Sequence, residues 1–221
     1  MARIRLFRTS QFPYHVVARS NNQEWFYLPP REFSEIFIEK AEATWREYDV
    51  SFHAFVIMSN HIHLLISTPR ANIDSAMNYL LREICRAVNQ RTGRTNHFFG
   101  GPYKWSLIQK PDHYGHAYKY IYRNPVRARI CTWVEEYPHS SIQVKLGNLD
   151  SPFPLIPSVL ESGIVFTGPL ADQLHWLNCP SGDMLEGSIR HALKHRMFKM
   201  AVRRTSRKFQ ELSQASEKFL D

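Results

Sequence analysis

The sequence predicts an α+β fold: a ferredoxin-like antiparallel sheet with helices packed on one face, followed by a C-terminal basic helical appendage. Two β-prone runs, residues 50–57 and 62–66, flank the tight connection Met58-Ser59-Asn60-His61 and read as an antiparallel hairpin. Amphipathic stretches of helical period stand on either side of it. The resulting order, βαββαβα with one central hairpin, is that of a split sheet covered by helices.

Each element has its own signal. Residues 14–18 are a short β-prone run that gives way to the polar cluster Arg19, Ser20, Asn21 and Asn22, hence strand and then loop. After Pro29 and Pro30, residues 31–47 space Phe33, Ile36, Phe37, Ala41, Thr44 and Trp45 on one helical face. The hairpin comes next. Thr68-Pro69-Arg70 ends its second strand, and residues 72–91 align Ile73, Met77, Leu80, Leu81, Ile84 and Val88, closed by Gly93. A loop through Gly100, Gly101 and Pro102 leads to a short strand at 104–108 and a helical pattern from His113 to Asn124, ahead of Pro125. From about residue 149 the pattern changes. Pro152, Pro154 and Pro157 mark a linker, and residues 184–212 read as helical and basic. The expected organisation is a catalytic domain over 1–148 and a linker with appendage over 149–221.

Composition narrows the function class. The 221 residues carry a formal net charge of +8, with 43% hydrophobic and 13% aromatic residues, which is globular composition with a bias toward a polyanionic partner. The pI is near 9.5. No stretch reads as a transmembrane span and the N-terminus lacks an apolar leader run, so no membrane partner and a cytoplasmic location are expected. Cys85, Cys131 and Cys179 are scattered and never spaced as CxxC, which argues against a disulfide framework or a structural zinc site.

Two small constellations could carry chemistry. His61 and His63 lie two apart at the start of a strand; side chains alternate faces with period two, so both imidazoles project from one side and Ile62 from the other. Such a pair can ligate a divalent cation. In a chain with 11 histidines, taken alone, it is more often incidental. Tyr120 and Asn124 are four apart before Pro125 and share a helical face, provided Pro125 begins a new turn. By spacing alone, Tyr120 could equally pack in the core while Asn124 caps the helix.

Together the blocks are more specific than their parts. Tyr14-His15-Val16 leading to Arg19-Ser20-Asn21-Asn22, Met58-Ser59-Asn60-His61-Ile62-His63-Leu64-Leu65, Phe99-Gly100-Gly101, and Tyr120-Ile121-Tyr122-Arg123-Asn124-Pro125-Val126-Arg127-Ala128 occur in one order, continuing into Tyr137-Pro138-His139-Ser140-Ser141. Over residues 10–142 the chain resembles the REP-associated tyrosine transposases, relatives of the single-tyrosine transposases of small insertion sequences, within the HUH endonuclease superfamily. It departs from them at Ser20 and Arg129, where glycine is common. The resemblance implies an HUH endonuclease fold, Tyr120 as nucleophile, and His61, His63 and Asn124 as ligands of Mg²⁺ or Mn²⁺. It also implies single-stranded or hairpin DNA as substrate and favours a monomer over a homodimer.

The implied reaction is nicking and strand transfer through a 5′-phosphotyrosine. A phenol with an ordinary pKa near 10 is a weak nucleophile at neutral pH, so placement and charge stabilisation must come from the site. One phosphodiester replaces another, which needs no ATP, in keeping with the absence of a GxxxxGK[ST] loop. Arg19, Asn21, Lys104, Arg123 and Arg127, with Arg203 and Arg204 of the tail, are the expected DNA contacts, interleaved with Tyr103, Trp105, Tyr118 and Tyr122 as surfaces for unstacked bases. Two alternatives remain open at this point: a catalytically silent single-strand-binding module on the same scaffold, and a metal hydrolase whose HxH opens an amidohydrolase-like barrel site. A (β/α)₈ barrel needs about 250 residues, which counts against the second.

Overall fold

Four strands form one antiparallel sheet in the computed structural model, which describes residues 7–95, 97–157 and 169–200. They are β1 (Tyr14–Arg19), β2 (Ser51–Ile57), β3 (His61–Ser67) and β4 (Lys104–Leu107), in the order β2-β3-β1-β4. The predicted hairpin is β2 and β3, and β3 and β1 sit at the centre. An open antiparallel sheet is not a barrel of repeated βα units, which removes the amidohydrolase-like reading.

One face of the sheet presents Tyr14, Val16 and Ala18 of β1 and Ile62, Leu64 and Ile66 of β3. Over it lie α1 (Pro30–Tyr48) and α2 (Ile73–Thr92), which contribute Phe33, Ile36 and Phe37, and Met77, Leu80 and Ile84. Gly93 ends α2 at φ 67, a left-handed conformation that glycine adopts without steric cost.

Helices cover both faces rather than one. Ala54, Val56 and Leu65 face the other way and pack under α3 (Pro111–Tyr122) through Tyr114, Ala117, Tyr118 and Ile121. The reason lies in the strands: the residues alternating with the first core are themselves apolar, so neither side of β2 or β3 can be left to water. A register irregularity between Phe52 and Ala54 shifts the alternation within β2. The mixed class and antiparallel sheet are as expected; the placement of α3 is the correction.

Beyond α3 come two short helices, α4 (Asn124–Arg127) and α5 (Ile142–Lys145). After α4, the Ile130 N–H donates to Pro125 O while Arg129 adopts φ 58, the geometry that glycine favours at a helix end. Ser20 sits at φ -59 and has no such need of glycine.

Among the described residues, two helices follow residue 149. The sequence anticipates α7 (Asp183–Ala192) within its basic stretch, but α6 (Leu170–Asn178) falls where only a linker was expected. Both join the core under α3, where Leu177, Ile189, Ala192, Leu193 and Phe198 are buried. Full burial of residues such as Leu177 or Phe198 contributes about 1.5–3 kcal/mol each. The same region shields the sheet edges: the Ile156 N–H donates to Phe52 O beside β2, and the Phe198 N–H to Leu107 O beside β4. None of the described helices is long and apolar enough to cross a membrane.

Candidate active site

The histidine pair lies on the face of β3 that carries α3. Ile62 is buried in the opposite core, as strand alternation requires, and the His61 and His63 ring centroids are 4.9 Å apart. His63 is buried and His61 half-buried. Burial holds the His61 imidazole down at about 4, assisted by the positive charge of Arg19, and holds His63 well below its ordinary value. Both rings are therefore neutral at pH 7, the form that can donate a lone pair to a metal.

Tyr120 projects toward the same place from α3. Its ring stands edge-on to His63 at 6.0 Å between centroids and to His15 at 6.2 Å. The helix continues through Arg123, whose N–H donates to Lys119 O, so Pro125 starts the next turn without breaking the previous one. Asn124 then lies one turn beyond Tyr120. Its amide nitrogen donates to Tyr120 O at 2.8 Å and to Ile121 O at 3.2 Å, and among the described residues nothing donates to its Oδ1.

The neighbouring tyrosines are differently placed. Tyr118 is buried with its hydroxyl accepting from Lys145 Nζ at 2.9 Å, and Tyr122 is buried with its hydroxyl 2.6 Å from Ser141 Oγ. Neither offers a surface for bases, contrary to the sequence-based expectation. Tyr120 is the half-exposed member of the three, and it lines a cleft with His116, Lys119, Arg127 and Glu186.

The donor atoms suit a divalent ion. The Asn60 amide nitrogen donates to Gln23 O, which turns Asn60 Oδ1 toward His61 Nδ1 at 2.6 Å. His61 therefore carries its proton on Nδ1 and its lone pair on Nε2. His63 has Nδ1 engaged by His15 Nε2 at 3.0 Å, again leaving Nε2 outward. Among the described residues no three His, Cys, Asp or Glu side chains gather into a metal-binding group, so a further protein donor beside this pair has to be of another type, such as an amide oxygen.

Of the expected DNA contacts, Arg19, Asn21 and Lys104 are exposed, and Arg19 pairs across the strands with His61. Their loop is held by Gly100: its N–H donates to Arg19 O, and a Cβ there would lie 3.1 Å from both Asn21 Cα and Ser20 O. Arg123 departs from the expectation. It is buried, its guanidinium donating to Leu177 O and Asn178 O at the end of α6 and to Glu186 of α7. It ties the appended helices to α3. Arg127 also reaches Glu186 and lies over the Tyr120 ring, 5.2 Å from its centroid. Arg203 and Arg204 lie outside the described residues.

Sequence reasoning assigned no role to His15 or Glu186. For His15 a signal existed: it shares an alternation phase with Val17, which pairs with His63. Glu186 had none, because its partners lie 59 or more positions away across the linker.

The family described as "Transposase IS200 like" matches residues 8–124, a span that ends on Asn124 and covers just over half of the chain. Among solved structures, the chain is similar to a REP-associated tyrosine transposase bound to a REP hairpin, with TM-score 0.56 and 17% identity over 75% of this chain and 99% of that one. A candidate transposase from Deinococcus radiodurans R1 gives TM-score 0.37 and 14% identity over 62% of this chain and 96% of that one. No curated protein matches. The first likeness shows a shared fold.

Proposed function

Because this chain belongs to the IS200-like transposase family, we propose that it nicks single-stranded DNA and joins the end to a new strand, with Tyr120 as nucleophile. The observation that carries this reading is the position of Tyr120: half-exposed on α3, edge-on to His63, one turn before an asparagine whose Oδ1 has no donor among the described residues. His61 Nε2, His63 Nε2 and Asn124 Oδ1 would hold Mg²⁺ or Mn²⁺. When bound, the ion supplies positive charge against the non-bridging oxygens of the phosphate under attack.

The chain's own groups do the rest. Tyr120 Oη forms the new bond to phosphorus as the bond from phosphorus to the 3′-oxygen breaks. The phenolic proton passes to solvent, and the leaving oxygen takes one up to become a 3′-hydroxyl. The 5′ side stays on the tyrosine as a phosphodiester, so the step is nearly isoenergetic, and attack by a different 3′-hydroxyl reverses it into strand transfer. Arg19 and Lys104, exposed at one end of β1 and β4, suit the DNA backbone, and Arg127 sits beside the phenol. A hairpin next to the cleavage site is the favoured substrate form, since the similar solved transposase is bound to one.

The nucleophile helix packs on β2 and β3 of its own chain, so one copy contains Tyr120, His61, His63 and Asn124 together. That favours a monomer as the working unit. The test is a nicking assay on a labelled single strand that carries a hairpin. With Mg²⁺ we expect a product ending in a 3′-hydroxyl, and no product from His61→Ala, which still binds the strand. Binding without nicking by the unaltered chain, in either Mg²⁺ or Mn²⁺, would make it a silent binding module instead.

A further inference from the structure

His15 is buried on β1 and has no part in the ligand set or the DNA surface described above. The register β1 makes with β3 pairs His15 with Leu65 and Val17 with His63, so His15 and His63 lie on one face, diagonal to each other across the central strand pair. Their rings are within 15° of parallel, and Nε2 of His15 is 3.0 Å from Nδ1 of His63. A bond between two neutral imidazoles needs a proton on one nitrogen and a lone pair on the other. Which is which decides what His63 can do.

If His15 donates, His63 must carry its proton on Nε2, and the nitrogen facing the site cannot ligate. If His15 accepts, His63 carries its proton on Nδ1 and presents a lone pair on Nε2, matching the arrangement that Asn60 and Gln23 impose on His61. We propose that His15 is a positioning residue: its Nε2 accepts the Nδ1–H of His63, fixing both the tautomer and the ring orientation that a metal ligand needs. The inference rests on the metal reading of the site given above.

Two measurements on the full chain test it. A long-range ¹H–¹⁵N spectrum of the metal-free protein, with His63 identified by its loss in His63→Gln, should show the proton on Nδ1. The Mn²⁺ affinity, read from the electron paramagnetic resonance signal of the free ion, should fall roughly 10–100-fold in His15→Phe. His15→Gln, which retains an acceptor oxygen, should recover most of that loss. A proton on Nε2 of His63, full affinity in His15→Phe, or no recovery in His15→Gln overturns the proposal. Should His15→Phe fail to fold, the spectrum of the unaltered chain still decides. An unaltered chain that binds no Mn²⁺ would sink the metal reading itself, whereas tight binding that ignores His15 would sink only this inference.

Discussion

Glu186 of the appended helix lies 2.9 Å from Arg127, whose guanidinium stands 5.2 Å from the centre of the Tyr120 ring. The same carboxylate meets Arg123 at 3.3 Å, so one acidic residue of α7 joins the first two arginines after the proposed nucleophile. Ser181, Glu186 and Ile189 thus wall the cleft beside Tyr120.

Arg123 should behave as a structural residue. Its guanidinium is about 90% buried and meets two α6 carbonyls as well as Glu186. Removing it leaves two carbonyls short of donors and Glu186 with Arg127 alone, which costs about 2–5 kcal/mol. Urea unfolding of Arg123→Ala should show a loss of that size. The salt dependence of its DNA binding should match that of the unaltered chain, whereas Lys104→Ala should reduce the slope of log K against log salt by about 0.7. A stable Arg123→Ala with a reduced slope would restore Arg123 as a phosphate contact.

Acid should destabilise the metal-free protein through its buried histidines. His53 donates from Nδ1 to Ile156 O at 2.5 Å and accepts from Ser67 at Nε2, and burial lowers it from 6.5 to about 4. The unfolded chain takes up this proton first as pH falls. The contribution is complete above about pH 6.5 and is lost as pH drops toward 4. Its size is on the order of 3 kcal/mol. Urea midpoints between pH 7 and 4 should fall less steeply in His53→Asn, whose amide nitrogen can replace Nδ1; an unchanged slope would refute this assignment. His15, pushed down to about 3 by burial, adds to the loss with the same sign.

Arg129→Gly should stabilise the chain. A non-glycine residue at φ 58 is strained by about 1–2 kcal/mol, against which glycine's extra freedom in the unfolded chain costs about 0.4–1 kcal/mol. The expected gain is about 0–1.6 kcal/mol, seen as a higher Tm with DNA binding retained. A lower Tm would show that the Arg129 side chain contributes more than its backbone costs.

Local features of the site were legible in the sequence; long-range ones were not. Strand alternation places His61 and His63 together with Ile62 opposite, and helical spacing sets Asn124 one turn beyond Tyr120. Both depend on residues a few positions apart. The bond from His15 to His63 spans 48 positions and exists only once β1 and β3 adopt their register. The position of α3 was missed because its helical pattern says which face is apolar, without saying which side of the sheet receives it. Arg123 looked like a DNA contact because the helices that bury it arrive after a Pro-rich stretch, and the first of them, α6, is only 9 residues long.

Mass mapping of the covalent product tests directly whether Tyr120 is the nucleophile. The protein is incubated with Mg²⁺ and a single-stranded DNA carrying a hairpin, denatured and digested, and the nucleotide-bearing peptide is identified. A phosphotyrosine is expected at Tyr120, with no adduct from Tyr120→Phe, whose Tm should stay close to that of the unaltered chain. Strand cleavage with no protein-linked DNA, or an adduct that survives Tyr120→Phe, would contradict that role for Tyr120.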